Sequence, residues 1–127
     1  MVTYERAVEV ADTYMQAMSA QDWAAVMELY AEDAVLEDPV GSEVKIGKLA
    51  ITDFYFGIGE TNITCTRTGT VRFANAEMVF PFQCIMRSED GAMKIDIIDH
   101  FILNGEGLII QMRAFWGPET AGPYEES

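Results

Sequence analysis

The sequence predicts an α+β domain in which three helices cover one face of a curved antiparallel sheet. In the first half of the chain, apolar residues recur every three or four positions, which is the spacing of a helix with one buried face. In the second half, apolar and polar residues alternate, as in strands that bury one face. Helices grouped before strands are typical of the α+β class. The 127 residues are enough for one domain with a single core.

The three helices are predicted between Thr3 and Gly57. Thr3 is a candidate N-cap for a helix that runs to about Ser19, and Asp22 is a candidate cap for the second helix. The third helix covers Lys48–Phe56 and ends at the glycines that follow it. The residues expected on the buried faces are Tyr4, Ala7, Val8, Ala11, Tyr14, Met15 and Met18, then Trp23, Val26, Met27 and Tyr30, then Ile51, Phe54 and Tyr55.

A short strand over residues 35–40 is predicted to precede a loop over residues 41–47, because Pro39 lacks the N–H that central pairing needs. Strands are also predicted at residues 62–67, 70–74, 77–87, 93–103 and 108–116. Tight turns at residues 90–91 and 104–107 would place Phe82 and Met112 opposite Asp99. The domain core is expected over residues 3–117, and residues 118–127 are expected to form a loosely held acidic tail.

Asp99 is the least expected residue in this pattern. Side chains two apart in a strand share a face, so Asp99 lies among five apolar residues, namely Met93, Ile95, Ile97, Phe101 and Leu103. An ionised carboxylate buried among such neighbours is costly, so the group either finds a partner or keeps its proton. A neutral carboxylic acid can donate a hydrogen bond, and this property points to catalysis.

Other polar side chains are predicted to face the same interior. Tyr14, Tyr30 and Tyr55 each fall on the buried face of a helix, and hydroxyls that donate to one another strengthen the last donor of the chain. A single buried tyrosine would otherwise be an ordinary core residue. Asp38 is in phase with Leu36 at the end of its strand, although a bare Asp-Pro pair is also typical of a turn.

Asp38 and Asp99 therefore form a candidate acid–base pair. Asp38, near an opening, would be ionised and accept a proton, whereas the buried Asp99 would donate to an oxyanion beside Tyr14. The reaction that fits is removal of a proton next to a carbonyl, through an enolate. Glu37 is expected to be solvated on the opposite face, and His100 also points away from Asp99, which makes it a poor candidate for the base.

Composition excludes several other classes. The net charge of −13 disfavours nucleic acid and anionic membranes as partners. No stretch is apolar enough to span a membrane, and the N-terminus lacks the features of a signal peptide, so a cytoplasmic location is expected. No cofactor-binding motif and no metal-ligand spacing is found, and Cys65 and Cys84 are expected to be reduced thiols.

The residues singled out above resemble the bacterial Δ5-3-ketosteroid isomerases, which belong to the SnoaL-like group of the nuclear-transport-factor-2-like (NTF2-like) superfamily. The resemblance extends over residues 7–117. Two segments carry it most specifically, Glu-Asp-Pro-Val-Gly-Ser-Glu at residues 37–43 and Ile-Asp-His-Phe at residues 98–101. Further matches are Tyr14, residues 29–34, residues 54–55, residues 104–107 and residues 112–117.

The resemblance implies a cone-shaped α+β fold with a curved, mixed and mainly antiparallel sheet. It implies a cofactor-independent steroid Δ5–Δ4 isomerase and a homodimer, with a 3-ketosteroid as the small-molecule substrate. Asp38 would move a proton from C4 to C6, while Tyr14 and a protonated Asp99, a known feature of that family, would bind the dienolate oxygen. Tyr30 and Tyr55 would support Tyr14. The residues that would line the steroid cavity are Phe54, Phe80, Phe82, Met112, Ala114 and Trp116.

Two alternatives remain on the same fold. One is a different enzyme, such as an epoxide hydrolase or a polyketide cyclase. Epoxide hydrolases of this fold use an Asp-Arg-Asp arrangement, whereas Arg113 is predicted to point out of the sheet. The other is a non-catalytic domain that binds small hydrophobic molecules, which would leave the acid at position 99 without a role.

Overall fold

The computed structural model of the protein describes residues 1–59 and 62–126. The three helices are α1 (Tyr4–Ala20), α2 (Trp23–Glu28) and α3 (Lys48–Phe56). The strands are β1 (Tyr30–Glu37), β2 (Lys45–Ile46), β3 (Asn62–Arg67), β4 (Arg72–Ala74), β5 (Glu77–Ser88), β6 (Gly91–Leu103), β7 (Ile109–Phe115) and β8 (Ala121–Tyr124). Within this described part, no helix is long and apolar enough to cross a membrane.

The helices begin where capping residues predict. The Thr3 side chain accepts the backbone N–H of Arg6 at 3.1 Å, and the Asp22 side chain accepts that of Ala25 at 3.1 Å. These bonds satisfy N–H groups that have no partner within the helix. Gly57 ends α3, as predicted. The second helix, however, is shorter than predicted, because Tyr30 already belongs to β1 and pairs with Ile109.

One mixed sheet joins all the strands in the order β2-β1-β7-β6-β5-β3, with β4 added to β5 and β8 to β6. The pairing of β1 with β7 is parallel, and the other pairs are antiparallel. The predicted α+β fold with a mixed, mainly antiparallel sheet is therefore confirmed. The inner face of the sheet and the helices enclose the core, which includes Tyr14, Tyr55, Phe80 and Phe101.

The register around Asp99 differs from the predicted one by two residues on both sides. The turn between β5 and β6 begins at Ser88, which pairs with Gly91, so Phe80 lies opposite Asp99 where Phe82 was expected. Between β6 and β7, the Asn104 N–H donates to the Leu108 carbonyl, which shifts the pairing by one residue, and an irregularity after Ile102 shifts it by one more. Ala114, and not Met112, therefore lies opposite Asp99. A shift of two keeps every side chain on its predicted face, because the strand period is two.

Three further differences concern the bounds of β1 and two segments in which no strand was predicted. β1 runs from Tyr30 to Glu37, so it starts earlier than predicted and stops before Asp38. The loop at residues 41–47 contains the short β2, which pairs with β1. Residues 121–124 pair with β6, although no strand was predicted in this glycine- and proline-containing tail. Residue 127 lies outside the described residues.

Cys65 and Cys84 form a disulfide bond, which corrects the expectation of two reduced thiols. The two cysteines are directly opposite each other in the antiparallel pair of β3 and β5, with Cα atoms 4.3 Å apart. Side chains at such a position are close enough for a disulfide. The sequence alone does not reveal which residues of the two strands face each other.

Candidate functional site

A cavity of about 230 Å³ opens between the helices and the inner face of the sheet. Most of its lining is apolar, and its polar groups come from Tyr14, Asp38, Asp99 and Trp116. Its lining residues are Tyr14, Met18, Asp38, Phe54, Ile58, Ile63, Phe82, Cys84, Met86, Ile95, Ile97, Asp99, Ala114 and Trp116. An apolar cavity with a few convergent polar groups is the usual form of a small-molecule site.

Asp99 lies in the wall of this cavity with 1% of its surface exposed. Within the part of the chain that the structure describes, neither of its carboxyl oxygens has a hydrogen-bond partner. Burial, and to a smaller extent the nearby Asp38 charge, raise the pKa of Asp99 well above its ordinary value. Burial therefore favours the neutral, protonated form of this side chain, in which its O–H can donate a hydrogen bond.

Tyr14, Tyr55 and Tyr30 are joined by hydrogen bonds in that order. The Tyr14 hydroxyl lies 2.8 Å from that of Tyr55, which lies 2.7 Å from that of Tyr30. If Tyr30 donates to Tyr55 and Tyr55 to Tyr14, the Tyr14 proton is free to point into the cavity. Burial raises the pKa of all three hydroxyls well above 10, so they remain protonated donors.

Stacked and edge-on rings hold the tyrosine chain in place. Trp23 stacks on Tyr55 with ring centres 5.9 Å apart, and Phe54 meets Tyr55 edge-on at 5.3 Å. Tyr14 packs edge-on against Phe101 at 5.4 Å. Such contacts fix the rings, and therefore the hydroxyls, in one geometry.

Asp38 follows the last residue of β1 and is partly buried at the cavity, in a cis Asp38-Pro39 peptide. Its Oδ1 accepts the indole N–H of Trp116 at 2.9 Å. Burial raises the pKa of Asp38, whereas the Trp116 hydrogen bond lowers it. The cavity therefore contains two carboxyls in different environments: Asp38 is partly exposed to solvent, whereas Asp99 is buried.

The structure brings most of the predicted site residues together. Tyr14, Asp38, Asp99, Phe54, Phe82, Ala114 and Trp116 line the cavity, and Tyr30 and Tyr55 lie behind Tyr14. Phe80 and Met112 are not among the lining residues, and their contact with a substrate stays a prediction. Both are buried in the core, where Met112 lies opposite Phe101 and Phe80 stacks on Phe82 at 5.5 Å.

Several residues of the site were not predicted. The bond from Trp116 to Asp38 depends on the path of the turn after β1, which the Asp-Pro pair marks but does not determine. Ile95, Ile97, Cys84 and Met86 follow the inward alternation of β5 and β6, which could have identified them. Among the described residues, no cluster of three His, Cys, Asp or Glu side chains is arranged to hold a metal ion.

His100 and Arg113 lie outside the cavity lining. His100 Nε2 is 2.8 Å from Glu77 Oε1, and Arg113 Nε donates to Glu37 Oε1 at 3.3 Å. Glu37 is therefore paired, with a side chain 21% exposed, and is not the freely solvated residue that was expected.

Known proteins resemble this chain in sequence and in fold. The model of the SnoaL-like domain family matches residues 11–112. The steroid Delta-isomerase of Nocardioides simplex is 34% identical over 105 residues, which cover 83% of this chain and 85% of that protein. A solved structure of SalBIII, described as an epoxide hydrolase/cyclase-like enzyme with a role in pyran ring formation in polyether salinomycin, has a TM-score of 0.85 at 26% identity. The match covers 94% of this chain and 96% of that chain.

Proposed function

This chain belongs to the SnoaL-like domain family, and on that premise we propose that it is a steroid Δ5–Δ4 isomerase. The observation that carries the proposal is Asp99, a buried acid in the wall of an apolar cavity whose oxygens have no partner in the described residues. A neutral acid in this setting can bind an oxygen that becomes negative during a reaction. The 34% identity to a steroid Delta-isomerase supports the same reaction.

The proposed reaction moves one proton within the substrate. The Asp38 carboxylate removes a proton from C4 of a 3-oxo-Δ5-steroid, and the electron pair moves onto the C3 oxygen to give a dienolate. Tyr14 and Asp99 each donate a hydrogen bond to that oxygen. Asp38 then returns the proton to C6, and the double bond moves from C5–C6 to C4–C5. Substrate and product are isomers, so no electron donor or acceptor is consumed.

The environments of the two carboxyls support this division of roles. The partly buried Asp38, whose ionised form is stabilised by Trp116, can accept a proton at neutral pH. Burial raises the pKa of the fully buried Asp99, which favours the protonated form, and that form has an O–H to donate. The tyrosine chain supports Tyr14, because a hydroxyl that accepts a hydrogen bond becomes a better donor.

The test is to mix the purified protein with a Δ5-3-ketosteroid and follow the ultraviolet absorbance of the conjugated enone. We expect Asp38→Asn to lower kcat by about 10²-fold to 10⁴-fold, the usual contribution of a general base. Tyr14→Phe should lower it by about 10²-fold to 10³-fold, as loss of one oxyanion donor does. Both variants should still bind a phenolic steroid, and normal turnover in both would exclude the mechanism.

A second candidate is an epoxide hydrolase or cyclase, which the likeness to SalBIII favours. The lining of the cavity in the described residues includes two aspartates but no arginine. Arg113 instead pairs with Glu37. A flat absorbance trace at high protein concentration, together with turnover of an epoxide, would favour this candidate. Binding without any turnover would favour a non-catalytic domain.

The proposed homodimer follows from the resemblance, whereas the other partner and location proposals follow from the sequence, including its net charge of −13. We expect a homodimer formed through the outer face of the sheet, with no nucleic acid or membrane as partner. The expected cytoplasmic location is to be tested by cell fractionation, because disulfide bonds such as Cys65–Cys84 are more common in oxidising compartments.

A further inference from the structure

Glu37 connects the turn that carries Asp38 to the neighbouring strand β7. Its Oε2 accepts the backbone N–H of Gly41 at 2.8 Å, and its Oε1 accepts Arg113 Nε at 3.3 Å. Glu37 and Arg113 are also Cα partners in the parallel pairing of β1 with β7. One carboxylate thus joins the end of β1, the far end of the turn and β7.

The turn itself depends on these bonds for its position. Within it, the Ser42 N–H and Oγ both donate to the Pro39 carbonyl, at 3.0 and 2.7 Å. These two bonds shape the turn but do not attach it to the sheet. The attachments are the Val40 N–H, which donates to the Ala114 carbonyl at 2.8 Å, and the Glu37 carboxylate.

Asp38 lies between these two attachments. On the cavity side, its carboxylate is held by the Trp116 indole, and Trp116 follows β7, the strand that carries Arg113. A movement of the turn relative to β7 would therefore displace the base from both Trp116 and the substrate. Reaction rates depend steeply on such distances, since a misplacement of 1 Å can cost about 10²-fold in rate.

We infer that Glu37 is a positioning residue, which acts through Asp38 by fixing the turn at residues 38–41 to β7. The inference rests on the proposed function, in which Asp38 is the base. Glu37 does not line the cavity and so does not act on substrate directly. Its ion pair with Arg113 is partly exposed, and such pairs contribute little to stability, so its main effect is expected on catalysis.

The experiment compares Glu37→Ala with Glu126→Ala in the enone assay. Glu126 is the matched control, because it also pairs with an arginine, Arg87 at 2.6 Å, but lies in the C-terminal tail. We expect Glu37→Ala to lower kcat by about 10-fold to 10²-fold with KM and phenolic-steroid affinity changed less than about 2-fold. Glu37→Gln, which keeps an acceptor for the Gly41 N–H, should recover most of the rate. Glu126→Ala should behave as the wild type.

Two further variants distinguish positioning from a general loss of structure. Arg113→Met removes the link from Glu37 to β7, together with the contact of the guanidinium with the Phe115 ring at 5.3 Å, and should lower kcat by about 3-fold to 10-fold at unchanged KM. In an Asp38→Asn background, Glu37→Ala should cause no further loss, because the residue through which it acts is already absent. An additional loss in that background would indicate a structural role.

The possible failures are distinguishable. If the wild type turns over the steroid and Glu37→Ala is as fast as Glu126→Ala, the inference is wrong and the proposed function stands. If Glu37→Ala does not fold, a wild-type kcat for Arg113→Met overturns the inference. If the wild type is inert, the proposed function fails, and the inference fails with it.

Discussion

The Trp116 indole N–H donates a hydrogen bond to the Asp38 carboxylate and so acts directly on the pKa of the proposed base. A donor to a carboxylate stabilises its charged form and so lowers its pKa, and here this opposes the effect of burial. The balance between the two determines the lowest pH at which Asp38 can accept a proton.

We predict that Trp116→Phe moves the acid limb of the kcat/KM profile to higher pH. Without the indole N–H, the pKa of Asp38 rises further, so a higher pH is needed to ionise the base in the free protein. The limb is measured from initial rates with a Δ5-3-ketosteroid at a series of pH values. A limb that stays in place, or moves to lower pH, would contradict this role of Trp116.

Asp99 gives a prediction on stability. Its ordinary pKa applies in the unfolded chain, and burial raises the pKa in the folded state. Between these two pKa values only the unfolded state has lost the proton. Stability therefore falls as the pH rises through this range, by up to about 1.4 kcal/mol per pH unit.

Asp99→Asn removes this titration, so the free energy of unfolding of the variant relative to the wild type should increase from pH 4 to pH 7. Urea unfolding at both pH values measures the difference. Asp96→Asn, on the exposed side of the same strand, is the matched control. If the Asp99→Asn difference is the same at both pH values, Asp99 is not held neutral.

At the scale of elements, the helices and long strands were predicted well because each has its own pattern or cap. Thr3, Asp22 and Gly57 mark helix ends in the sequence and do so in the structure. The predicted strand register was wrong by two residues, because register depends on the turns and on an irregularity in β6 and β7. The shift preserved the faces, so Asp99 still points inward, but it changed which residues lie beside Asp99.

The disulfide bond between β3 and β5 also belongs to this scale. It closes a loop between residues 19 positions apart, and its reduction should destabilise the protein by about 3 kcal/mol. The measurement is urea unfolding with and without dithiothreitol, with free thiols titrated in both samples. The double variant Cys65→Ser/Cys84→Ser is the control, since the reductant should not affect it. Two free thiols in the untreated protein would contradict the bond.

At the scale of the whole molecule, the outer face of the sheet exposes apolar side chains. Val79, Ile98 and Phe115 are 38%, 48% and 43% exposed, and Ile98 pairs with Phe115 across β6 and β7. We predict that a second copy covers this face. Ile98→Asp should shift the mass measured by light scattering from dimer to monomer. Leu49→Asp, at a 79% exposed position of α3, should leave it unchanged. A monomeric wild type would contradict the prediction.

The sequence by itself determined which residues lie inside. Periods of three to four and of two place Tyr14, Tyr55 and Asp99 on buried faces, because these periods follow from local backbone geometry. The tertiary structure alone decided which of these residues meet. The Tyr30–Tyr55–Tyr14 chain, the bond from Trp116 to Asp38 and the Glu37 link to Arg113 join residues 25 to 78 positions apart in the sequence. Such contacts depend on register and on the path of a turn, which no short stretch of sequence encodes.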